Sequence, residues 1–339
     1  MYKVLIVGLG SIGQRHLRLI RESLPSAEIM IFRHQQTDSI PAQANFVTCS
    51  IDEVRAFSPE VAVIANPAPF HLEIAMVLAT LGCHLLIEKP LSDKPDGVLE
   101  LVDRCRASEV ICQVGYNMRY LPSLLRFRDA VNAGLIGRPL AVRCEVGQYL
   151  PSWRPEADYR KGVSANRRLG GGVLLELSHE VDYLRWVFGE VDWVSSWVGN
   201  VGDLAVDVED TASLIFSCRL SASSKPIIVN LNMDFIRHDK TRLCTVIGEC
   251  GSLRWDGVGG IVEVYDSEGK GWSELASIPD ERDESYRAQW TDFLACIACG
   301  SKPLVDAVEA LRVLEIIDAA RFSAENNGTR KTIYENRFT

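Results

Sequence analysis

Within the first fifteen residues, Met1 to Arg15, a short apolar run meets three glycines and then a helical pattern. That order narrows the choice of fold more than anything downstream. Tyr2 to Val7 is rich in β-branched residues and reads as a buried strand. Gly8, Gly10 and Gly13 follow at once in the spacing G-x-G-x-x-G, and His16, Leu17, Leu19 and Ile20 continue as a helical pattern. The first glycine of such a turn permits a tight reversal, the second lets backbone approach a pyrophosphate, and the third brings helix against strand. The helix start at Ser11 and Ile12 offers unpaired N–H groups and the positive end of a dipole. The stretch therefore predicts a dinucleotide seat made by Gly8, Gly10, Ser11, Ile12 and Gly13.

The pattern then repeats. Glu28 to Phe32 reads as a second strand, with Arg33 and His34 at its end, where the ribose of an adenosine belongs in this kind of fold. An acidic residue there would bond a 2′-hydroxyl and a basic one suits a 2′-phosphate, so Arg33 tips the expectation toward NADP(H) over NAD(H). Val47 to Cys49, Glu60 to Ala65, His84 to Glu88 and Val110 to Gly115 read as further strands, with helical stretches at Ile51 to Phe57 and His71 to Leu81. Strands alternating with helices predict an α/β doubly wound parallel sheet, a Rossmann domain over residues 1–119. Ligands bind such sheets at the carboxyl ends of the strands, which marks Asn66, His71, Glu88 and Lys89. From Pro122 the texture changes: after a helix from Ser123 to Ala133, segments with period-two alternation recur between Leu140 and Tyr265, and helical patterns close the chain at Ser285 to Ala298 and Ala307 to Asn326. Residues 120–339 are thus expected to form an α+β domain with a large, mostly antiparallel open sheet, and the cleft between the domains is the expected active site.

A chain of 339 residues exceeds one modest core, which fits two domains. The formal net charge of -9 argues against a nucleic-acid or anionic-membrane partner. No apolar stretch reaches the roughly 20 residues of a membrane span, and the first strand begins at once, leaving no room for a signal peptide. The ten cysteines are scattered without a paired framework. Cys296 and Cys299 make a C-x-x-C within a helical pattern and read as small hydrophobes rather than zinc or redox ligands. The expectation is a reduced, cytoplasmic protein without a metal.

Two stretches stand out as chemical. One is Glu88-Lys89-Pro90. The other runs from Gly170-Gly171-Gly172 through Glu176, His179 and Asp182 to Phe188 as a single expected helix. Its Leu177, Val181, Leu184 and Phe188 share a stripe suited to packing, while Glu176, His179 and Tyr183 fall on a second face suited to lining a cleft. The glycines in front allow close approach of another backbone or a ligand.

These motifs together resemble the glucose–fructose oxidoreductase, inositol dehydrogenase and MocA family. The resemblance covers nearly the whole chain: the Gly8–Gly13 turn, Asn66-Pro67 with His71, Glu88-Lys89-Pro90, Gly115-Tyr116-Asn117 with Arg119, and the glycine triplet leading to His179 and Asp182. It implies a nicotinamide cofactor, a sugar-like substrate, and homo-oligomers, dimeric or tetrameric, assembled through the open sheet. It implies that Lys89 is the active-site lysine and His179 the catalytic histidine. The family often places Asp four residues before that histidine; here Glu176 stands three before, and Glu180 and Asp182 are alternatives for orienting the ring. Hydride would pass between a secondary alcohol and the nicotinamide, with His179 as general base and Lys89 stabilising the alkoxide. Asn117, Arg119 and Asp182 join the expected substrate contacts. So does the aromatic and basic segment Ser152 to Arg168, whose Trp153 and Tyr159 suit a sugar face and whose Arg154 and Arg160 suit a carboxylate or phosphate. That segment resembles the branch of the family associated with surface-polysaccharide and acidic-sugar biosynthesis, so an anionic or nucleotide sugar is the expected substrate. Two other readings compete: a non-catalytic dinucleotide-sensing regulator, and an NADPH-dependent reductase of C=N or enone bonds.

Overall fold

The structure is a computed structural model that describes residues 2–35, 39–221 and 224–333. The chain divides into two units: the first takes the chain to Tyr116 and then Tyr286–Leu314, the second takes Asn117–Ser285 and the chain from Glu315 on.

The first unit begins with β1 (Lys3–Val7), α1 (Ser11–Ser23), β2 (Glu28–Phe32), β3 (Phe46–Thr48), α2 (Ile51–Phe57), β4 (Val61–Ile64), α3 (His71–Thr80), β5 (His84–Ile87), α4 (Val98–Ala107) and β6 (Cys112–Val114). The strands are continuous apolar runs because both faces of a parallel sheet are covered, and Val4, Leu5, Ile6 and Val61 to Ile64 are buried without exception. The sheet order is β3-β2-β1-β4-β5-β6, all parallel. This is the doubly wound order, in which the crevice lies where β1 and β4 diverge. Helix α4 is an element that the alternation alone did not mark.

The second unit contains α5 (Pro122–Asn132), β7 (Pro139–Gly147), α6 (Val173–Glu176), α7 (Ser178–Phe188), β8 (Glu190–Gly199), β9 (Thr211–Arg219), β10 (Ile227–Asp234), β11 (Thr241–Gly248), β12 (Gly251–Asp256), β13 (Ile261–Asp266) and β14 (Gly271–Ser277). The chain ends with α8 (Glu284–Cys299), α9 (Ala307–Glu325) and β15 (Lys331–Thr332). Among the described residues the second sheet has nine strands, ordered β14-β13-β12-β11-β7-β10-β9-β8-β15. Only β7 and β10 pair in parallel; the other neighbours are antiparallel. One face buries Cys144, Val146, Phe216, Leu231, Val246, Leu253 and Trp255. Cross-strand register puts Trp197, Ile215, Ile247 and Trp272 together on the opposite face, where all four are exposed.

The sequence boundary expected at 119 falls three residues beyond the observed one, and the chain then returns to its first unit through α8. The reason is burial: Trp290 and Phe293 complete the core formed by Val4, Ile6, Leu17, Ile20 and Val63. The Trp290 indole N–H donates to Ser23 Oγ at 2.8 Å, and Arg287 pairs with Glu22 at 2.6 Å. In the C-x-x-C of α8, Cys296 is buried as expected and Cys299 is exposed.

Candidate active site

Each glycine of the first turn has a separate physical reason. Gly8 has φ +86°, and a Cβ there would stand 2.8 Å from the backbone N of Asn66. A Cβ on Gly13 would overlap the carbonyl oxygen of Gly8. Gly10 differs from both: its backbone is extended, and a Cβ would meet nothing within 4 Å. The space above Gly10 is therefore left open by the protein. Gly10 caps α1 without a side-chain hydrogen bond, and Ser11 at the helix start is exposed. The first amides of a thirteen-residue helix thus face that opening. Ile12 is half-buried and packs on the core. A dinucleotide pyrophosphate fits this donor set. At the end of β2, the Arg33 amide is donated to the Thr48 carbonyl, with the side chain half-buried and His34 exposed beyond it.

His71 and Glu88 are both buried and bonded within the first unit. The His71 ring lies 2.7 Å from the Asn66 carbonyl and 3.1 Å from that of Pro90, tying two strand ends together. Burial pushes its pKa down. Glu88 meets Nε2 of His16 at 2.6 Å and accepts the Lys89 amide at 3.2 Å. Burial opposes its charge, but the His16 imidazole together with the charge and amide of Lys89 outweighs burial and holds the carboxyl below the usual range. Between them, Asn66 is half-buried and its Oδ1 has no hydrogen-bond partner. Lys89, half-buried, follows Glu88 and joins Pro90 by a cis peptide.

In the second unit the glycine triplet makes close approaches to the protein's own chain. Gly172 lies against the Glu209 carboxylate, and a Cβ on Gly171 would come 2.7 Å from the Ser164 carbonyl. Glu209 accepts the Leu174 amide at 3.2 Å and so covers the start of α6. The single expected helix is two: α6 ends and α7 begins around Leu177, with φ -100° and ψ 20°. The two-faced reading of this helix also changes, because α7 is buried nearly all round. Tyr183 is fully buried, with its hydroxyl 2.9 Å from Cys144 Sγ. Glu180 and Asp182, about 200° apart at roughly 100° per residue, are both fully buried, and each meets an arginine from outside the helix. Asp182 takes Arg119 in a bidentate pair at 2.7 and 2.9 Å. Arg119 is 2% exposed and Asp182 fully buried, so the pair is held inside the second unit. Asn117 donates to Ser285 Oγ at 2.9 Å.

His179 sits beside Glu180 and Arg242. Its Nε2 is 2.8 Å from Arg242 Nη2 and 3.2 Å from Glu180 Oε1, and Arg242 Nε donates to the same carboxylate oxygen at 2.8 Å. Of the three acidic candidates for the histidine's neighbour, Glu180 stands 3.2 Å from the ring, and Glu176 is half-buried on the separate helix α6. Burial disfavours the Glu180 charge, but its pKa is lowered, chiefly by the Arg242 guanidinium beside it. Sequence reasoning missed Arg242. The available signal was its phase: Arg242 alternates with Cys244 and Val246, both buried, so a period-two strand aims it inward.

The 150–169 segment is a chain of short turns. Trp153 donates its indole N–H to the Gln148 carbonyl at 3.0 Å and meets Phe235 edge-on. The Tyr159 hydroxyl accepts the Ala205 amide, and Arg160 pairs with Asp158. Arg154, Lys161 and Arg168 are exposed, and among the described residues their side chains make no ion pair. No group of three metal-ligating side chains occurs among the described residues, and no described helix is long and apolar enough to cross a membrane.

Residues 2–116 match the model of the oxidoreductase family with an NAD-binding Rossmann fold, and residues 124–254 match the GFO/IDH/MocA C-terminal domain. The chain belongs to the GFO/IDH/MocA family. The myo-inositol 2-dehydrogenase of Thermotoga maritima is 24% identical over 344 residues, covering 96% of this chain and 97% of that protein. The rhizopine catabolism protein MocA of Rhizobium meliloti is 26% identical over 193 residues, 56% of this chain and 58% of its own length. With this protein and the Klebsiella pneumoniae inositol 2-dehydrogenases, the match spans little more than half the relative. Among solved structures of this fold, the WlbA dehydrogenase from Bordetella pertussis, in complex with NADH and UDP-GlcNAcA, superposes with a TM-score of 0.79. It has 21% identity and 99% coverage of both chains. A levoglucosan dehydrogenase complexed with NADH gives a TM-score of 0.83 at 19% identity, covering 98% of this chain and 99% of that one.

Proposed function

We propose that this protein is an NAD(P)-dependent oxidoreductase acting on a secondary alcohol of a sugar or polyol. The observation that carries the proposal is the Gly8–Gly13 turn, where two glycines are demanded by the protein's own backbone while the middle one is left open toward unpaired helix amides. When bound, the nicotinamide supplies the hydride acceptor or donor. Gly10, Ser11 and Ile12 hold the pyrophosphate, and Arg33 with His34 meets the adenosine ribose, favouring NADP(H) through a 2′-phosphate. Asn66, whose Oδ1 lacks a partner, is a further polar contact for the cofactor. His179 accepts the hydroxyl proton at a ring nitrogen, and the Lys89 ammonium stabilises developing alkoxide character. Glu176, three residues before the histidine, joins Glu180 as an acidic residue that orients the ring.

The substrate class rests on two supports. The relatives and fold neighbours include a myo-inositol 2-dehydrogenase, a levoglucosan dehydrogenase and the WlbA dehydrogenase in complex with UDP-GlcNAcA. The exposed Arg154, Lys161 and Arg168 supply cations for an anionic or nucleotide sugar, with Trp153, Tyr159 and Arg160 nearby in sequence and Asn117 earlier in the chain as companions. The exposed Trp197, Ile215, Ile247 and Trp272 make the bare sheet face the contact of a homodimer or homotetramer. The test is turnover of a sugar and nucleotide-sugar panel with both cofactors. Lys89→Ala and His179→Ala should each lose at least a hundredfold in kcat while binding cofactor as the wild type does. Near-normal turnover in both would remove the assignment, and cofactor binding without any turnover across the panel would favour a dinucleotide sensor.

A further inference from the structure

Arg242 reaches His179 from a strand more than sixty residues further along the chain, and its position is built. Its side chain is three-quarters buried, and a Cβ on Gly257 would stand 2.7 Å from Arg242 Cδ, so the glycine clears the path of the arginine stem. A guanidinium has donors only. The 2.8 Å contact between Arg242 Nη2 and His179 Nε2 therefore requires that nitrogen to accept, which leaves the ring proton of the neutral histidine on Nδ1. The same guanidinium bonds Glu180 Oε1 through Nε, while Glu180 Oε2 is buried without a partner.

We propose that Arg242 is a positioning residue for His179, holding the ring by Nε2, keeping that nitrogen unprotonated at rest and neutralising Glu180 beside it. The inference rests on the reading of His179 as the base. A proton arriving at Nε2 displaces Arg242 and faces Glu180 Oε1, which lies 3.2 Å away. The displaced guanidinium then has the unpartnered Oε2 of the same carboxylate to take. Glu180 thus matches the imidazolium charge and Arg242 the resting lone pair, so the ring keeps its orientation in both states. The other groups around this cluster are Lys240, Asp280 and Asp283 on the Arg242 side and Cys144, Cys244 and Tyr183 behind Glu180.

The test uses the full chain, free of cofactor and substrate, labelled with ¹⁵N-histidine, with the His179 ring signals assigned by their loss in His179→Gln. The expected wild-type spectrum at neutral pH has an unprotonated Nε2. In Arg242→Gln the buried Glu180 carboxylate loses its counter-charge, so the His179 titration midpoint rises by about one pH unit. Arg242→Lys keeps the charge without the fork and returns the midpoint toward wild type, which guards against a variant that fails to fold. The acid limb of the kcat/KM profile should move with the midpoint while cofactor affinity stays put. A protonated Nε2 in the wild type, or an unmoved midpoint in Arg242→Gln, overturns the inference and leaves His179 as the base. A moved midpoint with wild-type turnover in His179→Ala overturns the base and leaves the arginine–histidine coupling standing.

Discussion

Gly10→Ala and Gly13→Ala add the same methyl group to the same turn and should have opposite consequences. At Gly10, φ is -68° and ψ -172°, a conformation alanine adopts freely, and the added Cβ meets no atom within 4 Å. Folding stability should hold or rise by about 0.4–1 kcal/mol, since alanine restricts the unfolded chain. The methyl group does occupy the space through which a pyrophosphate would reach the turn. Losing one hydrogen bond to a charged ligand removes about 1.5–3 kcal/mol, or roughly a ten- to hundredfold loss of affinity. At Gly13 the Cβ overlaps the Gly8 carbonyl, so helix and strand must separate. Overpacking of that kind costs about 1–3 kcal/mol, a drop in melting temperature on the order of 2–12 °C. Thermal melts of the free proteins, followed by fluorescence titrations with NADPH and NADH, read both effects. If Gly10→Ala binds nucleotide like the wild type, the turn is not a pyrophosphate seat. If Gly13→Ala melts with the wild type, the close approach of helix to strand is not what that glycine serves.

Three further outcomes are expected. Asp182→Ala leaves Arg119 buried without its partner and should lower unfolding stability in urea by about 3–5 kcal/mol; the paired change Arg119→Met with Asp182→Leu should cost less, and an equal or larger loss would show that the pair acts through something other than mutual charge. Acidification should weaken the first unit in two stages. His71 and His84 are held below the usual histidine value, chiefly by burial, and the His84 Nδ1 accepts the Ile111 amide; Glu88 is held below the usual carboxylate value. In each case the unfolded chain binds the proton more readily, so stability is full above the unfolded pKa and falls as pH drops below about 6.5 for the histidines and about 4.5 for Glu88. A melting temperature that stays flat or rises from pH 7 to pH 4 would contradict this. Finally, Arg33→Asp should shift the ratio of NADPH to NADH affinity at least tenfold toward NADH in a fluorescence titration, and an unchanged ratio would remove Arg33 from the ribose site.

The sequence was most legible where a local pattern has a single physical outcome. Val4 to Val7 and Val61 to Ile64 are apolar runs too short for helices, and strands β7 to β13 announce themselves by alternation. The Gly8–Gly13 turn was readable because strand, spacing and helix are contiguous. What could not be read was partnership over long separations. Nothing near Asp182 says that Arg119 neutralises it, nor does anything near Glu180 name Arg242. Without those partners α7 looks two-faced, when it is buried almost throughout. The break at Leu177 was hidden for a related reason: no proline or glycine marks it, and Leu177 itself is a good helix former. His71 and Glu88 were placed correctly at strand ends, yet which way their side chains turn depended on Pro90 and His16.

The return of Tyr286–Leu314 to the first unit has a consequence for synthesis. On a ribosome making about 5–20 residues per second, the nucleotide half would leave the exit tunnel on the order of ten to thirty seconds before Trp290 and Phe293 exist to close its core. During that interval the strands β7 to β14 of the second unit emerge, while the first to be made waits with its apolar floor uncovered, and the last strand of the second sheet, β15, follows later still. A fragment ending near residue 119 would be frozen in that waiting state, an incomplete core rather than a free-standing domain.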